Sequence, residues 1–125
     1  MKIKFWYVLP GILLILVATL ASWKDIQQET GIPDDVEKIL SNSCYACHAT
    51  GANSKFGLRA LDFKIWNEYS AVKKVGLLGN IKEVLEKGKM PPARFLKKNP
   101  DKALSDDDKQ RIVDWTEKET EELMK

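Results

Sequence analysis

Apolar residues follow two patterns along the chain. From Phe5 to Ala21 they run almost unbroken, with Thr19 the one polar side chain and Pro10-Gly11 an internal break. From Ile32 onward they recur at helical spacing among charged residues. Val36, Ile39 and Leu40 stand at i, i+3 and i+4, which predicts an amphipathic helix. Pro33 suits its first turn, and Asp34 and Asp35 suit the positive end of its dipole. Residues 49–57 collect Gly, Asn and Ser without periodicity and read as a loop. Leu58, Leu61, Phe63, Ile65 and Trp66 follow as an apolar, aromatic group beside a short helix. Asn80 and Glu83 form a capping-box pattern ahead of Ile81, Val84 and Leu85, so a helix is expected to open there. Gly88 is placed to end it. Ser105 with Asp108 repeats the pattern before Ile112, Val113 and Trp115, and Glu117 to Glu122 make a solvated end. No stretch shows strand alternation, so the expected class is all-α.

The unbroken apolar stretch has a separate meaning. Lys2 and Lys4 precede it, as in an export segment. Its length is at the lower end for a bilayer span and slightly long for the apolar part of a signal peptide. A cleaved signal and an uncleaved anchor both fit; the loose match of Thr19-Leu20-Ala21 to a cleavage site favours the anchor. Either way the positive end stays inside and the remainder is exported. Residues 1–22 are therefore assigned to a signal peptide or N-terminal membrane anchor, 23–31 to a polar tether and 32–125 to one domain. Trp23 sits where an interfacial aromatic would help an anchor. The expected location is periplasmic, with residues 5–21 as the possible tether to the outer face of the membrane.

Charge narrows the classes further. Setting Lys2 and Lys4 aside, the 20 basic residues fall level with the 18 acidic ones, which gives no argument for nucleic-acid binding. The domain is also small for a self-sufficient apolar core.

The chemistry is concentrated in Cys44-Tyr45-Ala46-Cys47-His48. C-x-x-C-H is the spacing that attaches c-type haem. Two thiols so spaced can each add to one vinyl group of a single haem, and the histidine then lies under the iron. A structural zinc site wants four Cys or His ligands, and the chain has two cysteines and one histidine in all. A dithiol redox motif usually sits in a βαβ setting, for which there is no strand pattern. The expected cofactor is one covalent haem c per chain, which would supply much of the missing apolar mass. Export agrees with this, since c-type haem is attached outside the bacterial cytoplasm.

The iron's other axial position is open to methionine, lysine or no ligand, because His48 is the only histidine. Of the three methionines, Met1 is in the export segment and Met124 is on the charged C-terminus. Met90 remains. It follows a helix stop and precedes Pro91-Pro92, which restrict the loop and pre-set a weak thioether ligand. A methionine filling a core gap is the plainer alternative. Phe63 and Trp66 read either as core packing or as haem contacts. Arg59, Lys55 and Trp66 are candidates to hydrogen-bond haem propionates, with Arg59 best suited to a carboxylate.

The order helix, C-x-x-C-H, helix, methionine loop and aromatic C-terminal helix resembles a class I cytochrome c. More closely, the chain resembles the bacterial haem-binding-domain family of small mono-haem cytochrome c-like proteins. The resemblance rests on Cys44–His48, Leu-Asp-Phe-Lys-Ile-Trp at 61–66, Met90-Pro91-Pro92, and Asn99-Pro100 through Leu104-Ser105 to Trp115. It implies a cytochrome c-like domain wrapped around its haem, with first and last helices crossing near Trp115. Where that family often carries Tyr and then His-Pro, this chain has Phe95 and Asn99-Pro100.

The function expected is single-electron transfer between redox partner proteins, with His48/Met90 ligation. The chain offers no catalytic constellation, so no enzyme is expected. Lys87, Lys89, Lys97 and Lys98 lie near Met90 and would steer an acidic partner if they ring the haem edge. The alternatives are a haem-based sensor or small-ligand-binding domain, and a haem subunit fixed in a membrane redox complex.

Overall fold

The computed structural model describes residues 31–125. The export segment and the tether up to residue 30 lie outside the described residues. Among those described there is no strand, and the chain is all-helical. Its helices are α1 (Asp34–Ser43), a short α2 (Tyr45–His48), α3 (Lys55–Ala60), α4 (Ala71–Glu86), α5 (Ala93–Lys98) and α6 (Asp106–Leu123). Two 3₁₀ turns, Phe63–Glu68 and Pro100–Lys102, join them. No described helix is long and apolar enough to cross a membrane.

The largest helix pair is α4 on α6. From α4 the buried side chains are Lys74, Leu77, Leu78, Ile81 and Leu85; from α6 they are Ile112, Trp115, Thr116 and Glu119. Each set follows helical spacing, so each helix turns one continuous stripe inward. α1 adds Val36 and Leu40, and the 61–66 run adds Leu61, Phe63 and Trp66. α1 touches α6, and Trp115 Nε1 donates to the Gly31 carbonyl at 3.4 Å.

The helix ends report which local signals governed. Ser105 caps α6 with the expected box, its side chain and that of Asp108 each bonding the other's backbone N–H. Gly88, at φ +61°, ends α4. Its N–H bonds to the Leu85 carbonyl and that of Lys89 to Val84, a Schellman closure. Three expected boundaries are corrected. α4 opens at Ser70, whose hydroxyl accepts from Lys73 N–H, and Asn80 lies mid-helix. The earlier turns hold together because Lys74, Leu77 and Leu78 pack on α6. Pro33 is the N-cap residue itself, in extended backbone, and the helix starts one residue later. The expected 49–57 loop is also shorter, since Ser54 caps α3.

Two buried polar groups at the back of the core stand out. Lys74 places its ammonium 5.7 Å from the Trp66 ring centre. Glu119, expected on the solvated end of α6, is instead buried because it falls on the helix face turned to the core, and its Oε1 is unpartnered. Burial pushes the Glu119 carboxyl above the usual range, against the pull of Lys74. Its unfolded counterpart then ionises first as pH rises, so stability falls between the ordinary carboxylate range and the raised one. Glu119→Gln is expected to remove that fall. Chemical unfolding at pH 4 and pH 7 checks it, with the variant's gain confined to the higher pH.

Candidate functional site

α1 ends where the motif begins. Cys44 is its C-cap, with its N–H on the Leu40 carbonyl at 2.8 Å. The Cys44 carbonyl then accepts from Cys47 N–H at 3.1 Å and His48 N–H at 3.0 Å. This single turn sets both thiols and the imidazole along one wall of a cavity of about 380 Å³. That volume is in the range of small-molecule and cofactor sites. Both cysteines are free and half-buried. Burial, with Cys47 adding repulsion, pushes the Cys44 thiol up to about 12.

His48 is held through its far nitrogen. Nδ1 lies 3.1 Å from the Gly57 carbonyl and 3.2 Å from the Leu61 carbonyl. Carbonyl oxygens only accept, so Nδ1 carries the proton, and in the neutral ring Nε2 keeps a free lone pair. Metal-ligating histidines are oriented in this way. The geometry demands glycine at 57: a Cβ there would stand 2.3 Å from the Cys47 carbonyl oxygen. Phe63 stands edge-on to the imidazole, ring centres 6.4 Å apart.

The loop behind His48 is pinned by Asp62. Its carboxylate accepts from the Thr50 N–H at 2.9 Å and from the Thr50 hydroxyl at 2.5 Å. Burial opposes its charge, but hydrogen bonds from Thr50 and Lys64 outweigh it and hold the carboxyl below the usual range.

The rest of the wall is mostly apolar, with Ser43, Ser54 and Asn80 the polar members. Leu40, Leu77, Ile81, Leu85 and Ile112 come from the three long helices, and Phe56 and Phe95 from α3 and α5. Met90 and Pro91 line the same cavity, placed there by the Schellman stop of α4; Met90 is 37% exposed. The Met90–Pro91 peptide is cis.

Of the residues singled out from sequence, the cavity thus gathers Cys44, Cys47, His48, Phe63, Met90 and Pro91. Arg59 and Lys55 are exposed on α3, outside the lining. Trp66 is buried one ring behind Phe63, its centre 6.4 Å away and its N–H without a partner. The carbonyls of Gly57 and Leu61 had no side-chain signature. Leu77 is signalled only by helical spacing once α4 is known to begin at Ala71, whereas Ile81 already lay on the apolar stripe expected after Asn80.

An imidazole with one nitrogen free, two thiols and a thioether in an apolar cavity form a donor set that fits haem. A family model described as a haem-binding domain matches residues 54–118. The chain belongs to the haem-binding domain family. The match supports a haem cofactor and begins just after the C-x-x-C-H stretch. No curated protein and no solved structure matches the chain.

Proposed function

We propose that this haem-binding domain is a mono-haem c-type cytochrome of class I type, carrying single electrons outside the cytoplasm. Cys44 and Cys47 are the attachment thiols, and His48 and Met90 the axial ligands. The observation that carries this is the hold on His48, which leaves Nε2 free on the same wall as both thiols. Bound haem supplies one-electron chemistry between ferric and ferrous iron. The apolar wall of Leu40, Phe63, Leu77 and Ile112 excludes water and disfavours the extra charge of the ferric state, which raises the potential. Met90 favours the ferrous state in the same direction.

The surface around the cavity suggests the kind of partner. Segments 43–61 and 87–100 contain no Asp or Glu. Lys55, Arg59, Lys89, Arg94, Lys97 and Lys98 are exposed there and make no ion pair among the described residues. Lys87 is paired with Glu83. This one-sided charge supports an acidic redox partner, whose encounter would slow with added salt.

The test is the visible spectrum of exported protein made with cytochrome c maturation machinery, oxidised and reduced, with and without carbon monoxide. Haem that stays with the denatured chain, a weak far-red ferric band and no carbon monoxide shift are expected. Haem that extracts into organic solvent would defeat the covalent assignment. The exposure of Met90 favours a second reading, a sensor whose thioether yields to a small ligand; a rapid carbon monoxide shift would select it. Cys47→Ser is expected to cut covalent haem loading severely, as read by haem stain after denaturing electrophoresis. Full loading would show that Cys44 alone suffices.

A further inference from the structure

The Leu61-Asp62-Phe63 run meets the haem motif at its first and third residues. Leu61 offers its carbonyl to His48 Nδ1, and Phe63 sets its ring against the imidazole. Asp62 touches neither ring nor cavity, yet it is only 8% exposed and every polar group of its side chain is used. Oδ1 accepts from the N–H groups of Thr50 and Lys64, each at 2.9 Å, and Oδ2 from the Thr50 hydroxyl. Its own N–H donates to the Tyr69 hydroxyl at 3.1 Å. These contacts bind two stretches of chain together. One is Ala49-Thr50, which leaves His48; the other carries the Leu61 carbonyl.

We propose that Asp62 is a positioning residue for His48, fixing through Thr50 and Leu61 the hydrogen bond that orients the imidazole. The proposal rests on the reading of His48 as the iron ligand. Its physical basis is the link between the two ring nitrogens. A firm Nδ1–H···O=C bond makes Nε2 a stronger donor, and a loosened one makes it weaker. Bonds to an ionised carboxylate are stronger and shorter than neutral ones, which suits Asp62 to hold the two stretches in register.

The test uses the haem-loaded full chain and three variants: Asp62→Ala, Asp62→Asn and Thr50→Val. Asparagine retains an oxygen for both backbone N–H groups, and the Thr50 hydroxyl can turn to accept from its amide. The readouts are the reduction potential and the solvent exchange of the His48 ring N–H in the ferrous protein, followed by proton NMR. Thr50→Val is expected to speed that exchange by about tenfold for the loss of one hydrogen bond, and Asp62→Ala, which loses three, by at least as much. They are also expected to raise the potential, because a weaker donor favours ferric iron less. Asp62→Asn, which keeps the contacts but loses the charge, should lie between wild type and Asp62→Ala in both. Wild-type exchange and potential in Asp62→Ala would overturn the proposal, as would an Asp62→Asn variant as impaired as the alanine one. If Asp62→Ala does not fold, Thr50→Val decides by the same two readouts. A wild-type protein without haem on His48 would defeat the parent reading; a loaded wild type with indifferent variants would defeat this inference alone.

Discussion

Gly57→Ala is expected to destabilise the domain by about 1–3 kcal/mol, the usual cost of forcing extra volume into a packed site. The added methyl group would meet the Cys47 carbonyl oxygen at 2.3 Å and Ser54 Oγ at 2.9 Å. The first of these is backbone inside the haem motif and has no rotamer to escape into. Relief must come from α3 moving away, which withdraws the Gly57 carbonyl from His48. Two measurements follow the same event. Denaturant unfolding of haem-loaded protein should show a lower midpoint with an unchanged slope. The His48 ring N–H should also exchange faster with solvent, because the ring has lost one of its two acceptors. An alanine variant with wild-type unfolding and ring N–H exchange would show that α3 is free to shift without disturbing the motif.

Met90→Ala is expected to leave covalent haem in place while lowering the reduction potential, on the order of 0.1 V within the ~0.8 V range that axial ligands span. The thioether favours ferrous iron, and alanine offers nothing in its place. The far-red ferric band should vanish and carbon monoxide should bind readily. Little else should change, because Met90 is partly exposed on a loop and contributes little to the core. Stability by thermal melting should therefore fall far less than for Gly57→Ala. An unchanged potential would remove Met90 from the iron.

Much of the site was legible because it is encoded in side chains at fixed local spacing. Cys44, Cys47 and His48 occupy one turn, and Met90 follows a glycine stop that proved to be a Schellman closure. The α6 boundary was legible for the same reason, since Ser105 and Asp108 bond each other across a single turn. The start of α4 was not. Asn80 and Glu83 carry a capping pattern, but tertiary burial of Lys74, Leu77 and Leu78 extends the helix back to Ala71. Arg59, suited by chemistry to a haem carboxylate, is exposed on α3 and does not line the cavity. The acceptors of His48 were invisible because they are backbone carbonyls brought back by a loop. Gly57 is glycine on account of Cys47, a residue distant in sequence. Such reasons exist only once the chain has folded.

The cavity wall and the core share members: Leu40, Leu61, Phe63, Leu77, Ile81, Leu85 and Ile112 belong to both. Haem seated there completes the packing that these side chains begin, so cofactor and fold stand or fall together. A chain that never receives haem forgoes that contribution and spends more of its time open to proteases. The amount of this protein that accumulates in a cell is therefore expected to follow haem delivery.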